Sequence, residues 1–144
     1  MPLYFAYGSN MDRRQMTQRV SGAQLLGTGR LRGYGLACDK MGRDGSGKAN
    51  VLAAPGKQVW GVVWELTHEA LARLDGFEGG YRREQIAIRL SEGPTRTCWV
   101  YVSDRTDPDL LPNRAYRDRM LRGAREHGLP ASWRALLEGL AVCD

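Results

Sequence analysis

Alternation constrains this chain more than any other feature. From Gln58 to Leu66 every second residue is large and apolar, which puts Trp60, Val62, Trp64 and Leu66 on one face of an extended strand. Tyr81 to Leu90 repeats the pattern with Ile86, Ile88 and Leu90, and Gly93-Pro94 turns the chain into a further strand, Thr97 to Val102. Strands of this kind must bury one face against another layer. Leu3 to Tyr7 is short, apolar and aromatic and reads as a buried strand. Gln24 to Asp39 is β-rich and broken by glycines, and Asn50 to Ala54 is a short strand ended by a Pro55-Gly56 turn.

Helices interrupt this order at three points. One runs from about Asp12 to Val20, with Ser9 or Asn10 as its cap. Thr67 caps a second, which holds Leu71 and Leu74 at helical spacing. The third region is a helix from Arg114 to His127, stopped by Gly128 and Pro130, and then a last helix with Trp133, Leu136, Leu137 and Leu140. Lys40 to Lys48 is polar and glycine-rich and reads as a mobile loop that can cover a cavity mouth. The expected fold class is therefore α+β: a small mixed, mainly antiparallel β-barrel with flanking helices, in one domain over residues 1–144.

Composition removes several functions. No apolar run approaches the ~20 residues of a membrane span, and Met1 to Phe5 lacks the pattern of a signal peptide. The expected location is the cytoplasm, without a membrane partner. Cys38, Cys98 and Cys143 are odd in number and widely spaced, so they suggest neither a disulfide framework nor a zinc site. With His68 and His127 the only histidines, no metal is expected. The net charge of +5 comes mostly from arginines scattered beside acids, without the basic block of a nucleic-acid binder.

Two segments can carry chemistry. Tyr7-Gly8-Ser9-Asn10 lies where a strand gives way to a helix. Glycine permits a tight turn there, and free N–H groups at a helix start attract an anion such as a carboxylate. An ordinary capped turn would read the same way. In Leu74-Asp75-Gly76-Phe77-Glu78-Gly79-Gly80-Tyr81, Asp75 and Glu78 are three apart and share a helix face. A carboxylate beside glycines and aromatics can sit at the rim of an apolar pocket, where desolvation raises its pKa and makes it a useful base. Asp75 is expected to bind backbone groups instead. No Gly-x-Ser-x-Gly elbow or Walker A loop is present, and Cys98 reads as a packing residue.

Together these pieces resemble the γ-glutamylcyclotransferase family over nearly the full chain. Tyr4-Phe5-Ala6-Tyr7-Gly8-Ser9-Asn10 resembles the family's opening motif. Val59-Trp60-Gly61-Val62-Val63-Trp64 resembles its central strand, and Leu74-Asp75-x-x-Glu78-Gly79 its catalytic segment. Gly123-Ala124-x-Glu126-x-Gly128-Leu129-Pro130 is similar to the branch that acts on γ-glutamyl amino acids. The resemblance implies a small barrel with helices around a cavity, and release of 5-oxoproline from a γ-glutamyl amino acid or amide. Glu78 would be the acid/base residue. The Ala6, Tyr7, Gly8, Ser9 and Asn10 segment would hold the glutamyl end, and Tyr81, Tyr101 and Tyr116 would line the pocket. It implies a small-molecule γ-glutamyl substrate, no cofactor and no nucleic acid, and is compatible with a homodimer. A γ-glutamylamine or specialised-metabolite cyclotransferase, or a noncatalytic ligand-binding module, are the alternatives of the same fold. One departure is visible: the stretch between Glu78 and Tyr81 is shorter than in animal members.

Overall fold

Two long strands, β2 (Gln24–Met41) and β3 (Gly47–Glu65), form a hairpin that dominates the structure, a computed structural model describing all 144 residues. Its lower half closes into a barrel with β1 (Leu3–Ala6), β4 (Arg82–Leu90) and β5 (Thr95–Val102), in the order β1-β3-β2-β4-β5. All neighbours are antiparallel except β1 and β5, which meet in parallel at Tyr4 and Trp99. The helices α1 (Arg13–Arg19), α2 (His68–Phe77), α3 (Arg114–Glu126) and α4 (Ala131–Glu138) lie outside it. The α+β barrel read from the sequence is what the chain forms. No helix is long and apolar enough to cross a membrane.

The alternating stripe of β3 does not face the barrel interior. Val59 and Val63 are fully buried, and Val63 pairs with Phe5 while Val59 pairs with Leu31. Trp64 lies on the opposite face, under the helices, and Trp60 is half-buried beneath the Arg30 guanidinium. Both faces are covered here, so alternation marks a strand without saying which face is the core. The interior is kept open by glycine. Gly29 and Gly61 are register partners, and a Cβ on Gly29 would lie 2.9 Å from Ile88 Cγ2. One on Gly61 would strike the Ala6 carbonyl and lie 2.7 Å from Phe5 Cζ. Phe5 and Ile88 fill the space those side chains would need.

Several local readings are corrected by the fold. Asp12, not Ser9 or Asn10, caps α1, its carboxylate accepting from the Arg14 N–H at 3.2 Å. Gly8-Ser9-Asn10 instead leads into a short 3-10 turn, Ser9–Met11. Pro55-Gly56 does not end a strand; β3 runs through it, with Gly56 at φ +85°. Both ends of the supposed mobile loop are strand as well, since Lys40 and Met41 pair with Lys48 and Gly47, which leaves only Gly42 to Ser46 as the hairpin tip. The tip is fastened: the Gly47 N–H donates to the Leu111 carbonyl at 2.8 Å, and Asn113 Nδ2 to Asp44 at 3.1 Å. Anchored in this way, the hairpin forms a wall of the cavity beside Glu78. Thr67 caps α2 as expected, accepting from the Ala70 N–H.

The Gly123 to Pro130 segment acts structurally. A Cβ on Gly123 would lie 2.7 Å from Met11 Cβ, so glycine lets α3 settle directly on the 3-10 turn. His127 Nε2 meets the Met11 carbonyl at 2.9 Å, and Glu126 accepts from the Arg13 N–H at 3.1 Å. Gly128, at φ +67°, ends the helix and turns the chain back, and the Leu129 N–H closes on the Ala124 carbonyl. The motif thus clamps the turn that carries Asn10.

The two kinds of glycine separate in a stability measurement. Gly61→Ala is expected to lose roughly 1–3 kcal/mol in urea unfolding, the usual scale of overpacking. Gly76, inside α2 with open space around it, is expected to gain ~0.5–1 kcal/mol on change to alanine. Equal effects at the two positions would contradict the packing account.

Candidate active site

Glu78 follows α2 as its C-cap residue, and two networks fix it there. The first comes from β1 and its turn. Asn10 Nδ2 donates to Glu78 Oε1 at 2.9 Å and to the Tyr4 hydroxyl at 3.0 Å. Asn10 Oδ1 in turn accepts from Gln15 Nε2 at 3.0 Å and Arg19 at 3.1 Å. Arg19 also lies 3.6 Å from Glu78 Oε1. The second network holds the turn after Glu78. Tyr81 N–H donates to the Glu78 carbonyl, and the Ser103 hydroxyl donates to the Gly80 carbonyl at 3.0 Å. Ser103 is itself held by the buried Asn50, whose Oδ1 accepts its N–H and whose Nδ2 reaches its carbonyl.

Glu78 opens onto a narrow inner pocket whose walls are Tyr4, Tyr7, Tyr81, Tyr101 and Tyr116, with Gly8, Ser9, Asn10 and Ala49 between them. The inner pocket widens at Ser9, Glu78, Tyr81 and Tyr116 into an outer bowl of about 510 Å³. Every site residue expected from the sequence lies on the inner pocket except Ala6, which is buried in β1 and lines neither space.

The five phenols are not equivalent. Tyr7 donates to the Tyr101 carbonyl at 2.6 Å, Tyr81 to the Ala49 carbonyl at 2.6 Å, and Tyr101 to Asp75 at 2.7 Å. Their protons are engaged, so they serve as walls. Tyr4 and Tyr116 each accept an N–H, from Asn10 and from Ala49, and retain a hydroxyl proton for a ligand. Burial, with Glu78 nearby, holds both phenols above the usual tyrosine range, so they remain neutral donors. Asp75 does not bind backbone through its carboxylate, as the sequence suggested. It accepts from Tyr101 and pairs with Arg83 at 2.8 Å, bracing the wall.

Gly8 is confined by space: a Cβ there would lie 3.1 Å from both Ala49 Cβ and the Tyr116 hydroxyl. Gln15, Arg19 and Lys40 were missed, as was the Tyr4 side chain. Gln15 and Arg19 are four apart on α1, the same-face spacing that would have pointed both at Asn10. Tyr4 had only its place in a buried strand, which says nothing about a hydroxyl facing a pocket.

The pKa of Glu78 is raised, first by burial and then slightly by Asp75, against the lowering effects of Arg19, Asn10 and Lys40. Desolvation strengthens it as a base, while its cationic and amide partners keep ionisation within reach.

These features have relatives. The family described as gamma-glutamyl cyclotransferase, AIG2-like, matches residues 4–118. The gamma-glutamylcyclotransferases of Bos taurus and Homo sapiens are each 30% identical over 151 residues, covering 99% of this chain and 80% of theirs. A solved structure titled gamma-glutamyl cyclotransferase superposes with a TM-score of 0.93 at 28% identity, covering 99% of this chain and 89% of that one. The chain belongs to the γ-glutamylcyclotransferase family.

A buried carboxyl with a raised pKa also leaves a mark on stability. The folded state keeps the Glu78 proton to higher pH than the unfolded chain, whose value is near 4.5, so stability falls as pH rises through that interval. Above it the ionised side chain is a net cost to folding. Glu78→Gln is therefore expected to melt at a higher temperature than the wild type at neutral pH, with the difference shrinking as pH falls toward 4.5 and gone below it. A lower Tm for the variant at neutral pH would contradict this.

Proposed function

We propose that the protein is a γ-glutamylcyclotransferase, which closes the glutamyl moiety of a γ-glutamyl amino acid or amide into 5-oxoproline and releases the amine. The observation that carries this reading is the desolvated Glu78 carboxylate at the junction of the aromatic inner pocket and the outer bowl, in a chain of this family.

In such a substrate the α-amino group can reach its own γ-carbonyl carbon and form a five-membered lactam. Binding must fold the glutamyl chain so that nitrogen and carbonyl meet, and the narrow tyrosine walls favour a bent chain over an extended one. The α-ammonium has no lone pair until it loses a proton. Glu78 accepts that proton, the freed amine attacks the γ-carbonyl, and the C–N bond to the leaving amine breaks as Glu78 returns a proton to it. The hydroxyl protons of Tyr4 and Tyr116 and the amides of the Gly8 to Asn10 turn are the neutral donors for the α-carboxylate and the developing oxyanion. Arg19 orients Glu78 and favours its ionised form. The leaving amine points into the bowl. No step calls for a metal, an organic cofactor or a thiol.

A panel of γ-glutamyl dipeptides and amines assayed for 5-oxoproline tests the reading. Lactam and free amine should appear in equal amounts, and turnover should survive EDTA and thiol-blocking reagents. Glu78→Gln should lower kcat at least ~100-fold with substrate binding retained, the usual scale for proton transfer. Gly8→Val should abolish turnover by crowding Tyr116. Wild-type turnover in Glu78→Gln would remove this residue from the mechanism, and turnover lost to EDTA and restored by a divalent ion would remove the metal-free scheme.

A further inference from the structure

The outer bowl carries more positive charge than the protein neutralises. Its wall holds Arg19, Lys40, Arg43, Lys48 and Arg119 against two carboxylates, Asp44 and Glu78. Three of these cations have polar partners within the protein. Arg19 faces Glu78 and Asn10, Arg119 donates to Gln15 at 2.7 Å and lies 3.8 Å from the Asp12 carboxylate behind the bowl, and Lys48 lies 3.5 Å from Asp44. Lys40 and Arg43 form no ion pair and no side-chain hydrogen bond.

The fold places Lys40 at the throat of the site. It is the register partner of Lys48 across the hairpin, which puts two ammonium side chains at neighbouring positions. Like charges so placed repel unless something anionic lies between or before them. The Lys40 ammonium stands 4.8 Å above the Tyr81 ring, and that of Lys48 4.6 Å above the Tyr116 ring. Those rings form part of the junction between inner pocket and bowl. Gly80 makes room for this arrangement, since a Cβ there would lie 2.8 Å from Lys40 Cε. Burial, and then the charges of Lys48 and Arg43, hold the Lys40 pKa below its usual value against the opposing pull of Glu78. The hairpin tip is tied down by Asn113 and Leu111, so the backbone from which these side chains reach into the bowl is anchored.

Resting on the cyclotransferase reading, we infer that the bowl selects a leaving amine that bears a carboxylate in addition to its α-carboxylate, with Lys40 and Arg43 as the specificity-determining residues. The fitting substrate class is a γ-glutamyl conjugate of a dicarboxylic amino acid. A simple γ-glutamylalkylamine would leave both cations without a partner, and a neutral amino acid would supply one carboxylate to a wall on which Lys40 and Arg43 both lack an ionic partner.

The test compares γ-glutamyl-glutamate with γ-glutamyl-glutamine, which differ in little but the side-chain charge, and with γ-glutamylbutylamine. Five- to tenfold higher kcat/KM for the glutamate conjugate than for the glutamine conjugate is expected, on the order of one partly exposed charge-assisted contact. The difference should lie mainly in KM and shrink as salt rises; the butylamine conjugate should be poorest. Lys40→Met, which keeps an apolar chain over Tyr81, and Arg43→Gln, at an exposed position, should each bring the glutamate-to-glutamine ratio toward one, whereas Lys40→Arg should keep it. A ratio near one in the wild type, or a ratio unmoved in both Lys40→Met and Arg43→Gln, overturns the inference while leaving the cyclotransferase reading intact. Absence of 5-oxoproline from all three substrates overturns both.

Discussion

The carboxamide of Asn10 is where β1, α1 and the Glu78 carboxylate meet. Both of its donors and both of its acceptor positions are engaged: Tyr4 and Glu78 on the nitrogen, Gln15 and Arg19 on the oxygen. A buried amide with any of these missing would carry an unsatisfied polar group, so the network resists partial disruption. It also orients itself, because the nitrogen faces a carboxylate and the oxygen faces a guanidinium. Through this residue β1 and α1 determine where Glu78 sits, although Glu78 lies 68 positions further along the chain.

The rest of the fold can be understood as support for that arrangement. Barrel closure brings β1 beside β5, which places Tyr4 against Tyr101 with their rings 5.5 Å apart and nearly perpendicular. The close approach of α3 at Gly123 presses the 3-10 turn toward β3, where Trp64 Nε1 donates to the Asn10 carbonyl at 3.1 Å. Asn10 is thus held through its backbone as well as its side chain. Rigid support of this kind allows a carboxylate to remain desolvated beside a pocket instead of turning out to water. It also accounts for the conflict between stability and chemistry at Glu78, where the environment that makes a better base disfavours the ionised form.

How much of this was legible in the sequence depended on the range of the interactions. Elements set by local pattern could be read: the strands from alternation, the α2 cap from Thr67, the end of α3 from Gly128. The two segments that line the inner pocket, Tyr7 to Asn10 and Glu78 to Tyr81, also stand out in the sequence, because each is a run of consecutive residues. Partnerships across the fold could not. Nothing near Lys40 in sequence shows that β2 runs on to Met41 and that β3 begins at Gly47, because glycines that signal a loop also permit bulges and a tight hairpin tip. Trp60 and Trp64 look alike in the alternating strand, yet one lies under the half-buried Arg30 and the other is buried beneath the helices. Asp75 looked like a backbone ligand because its partners, Tyr101 and Arg83, belong to strands that follow it.

The central claim is that Glu78 must be ionised to accept a proton, and that its pocket sets the pH at which it ionises. The most direct measurement is the pH dependence of kcat/KM, which reports the free enzyme's essential groups. The rate should fall on the acid side with a midpoint above 4.5, the ordinary value for the side chain. A midpoint at or below 4.5, or a rate that rises as the solution is made more acidic, would contradict the account.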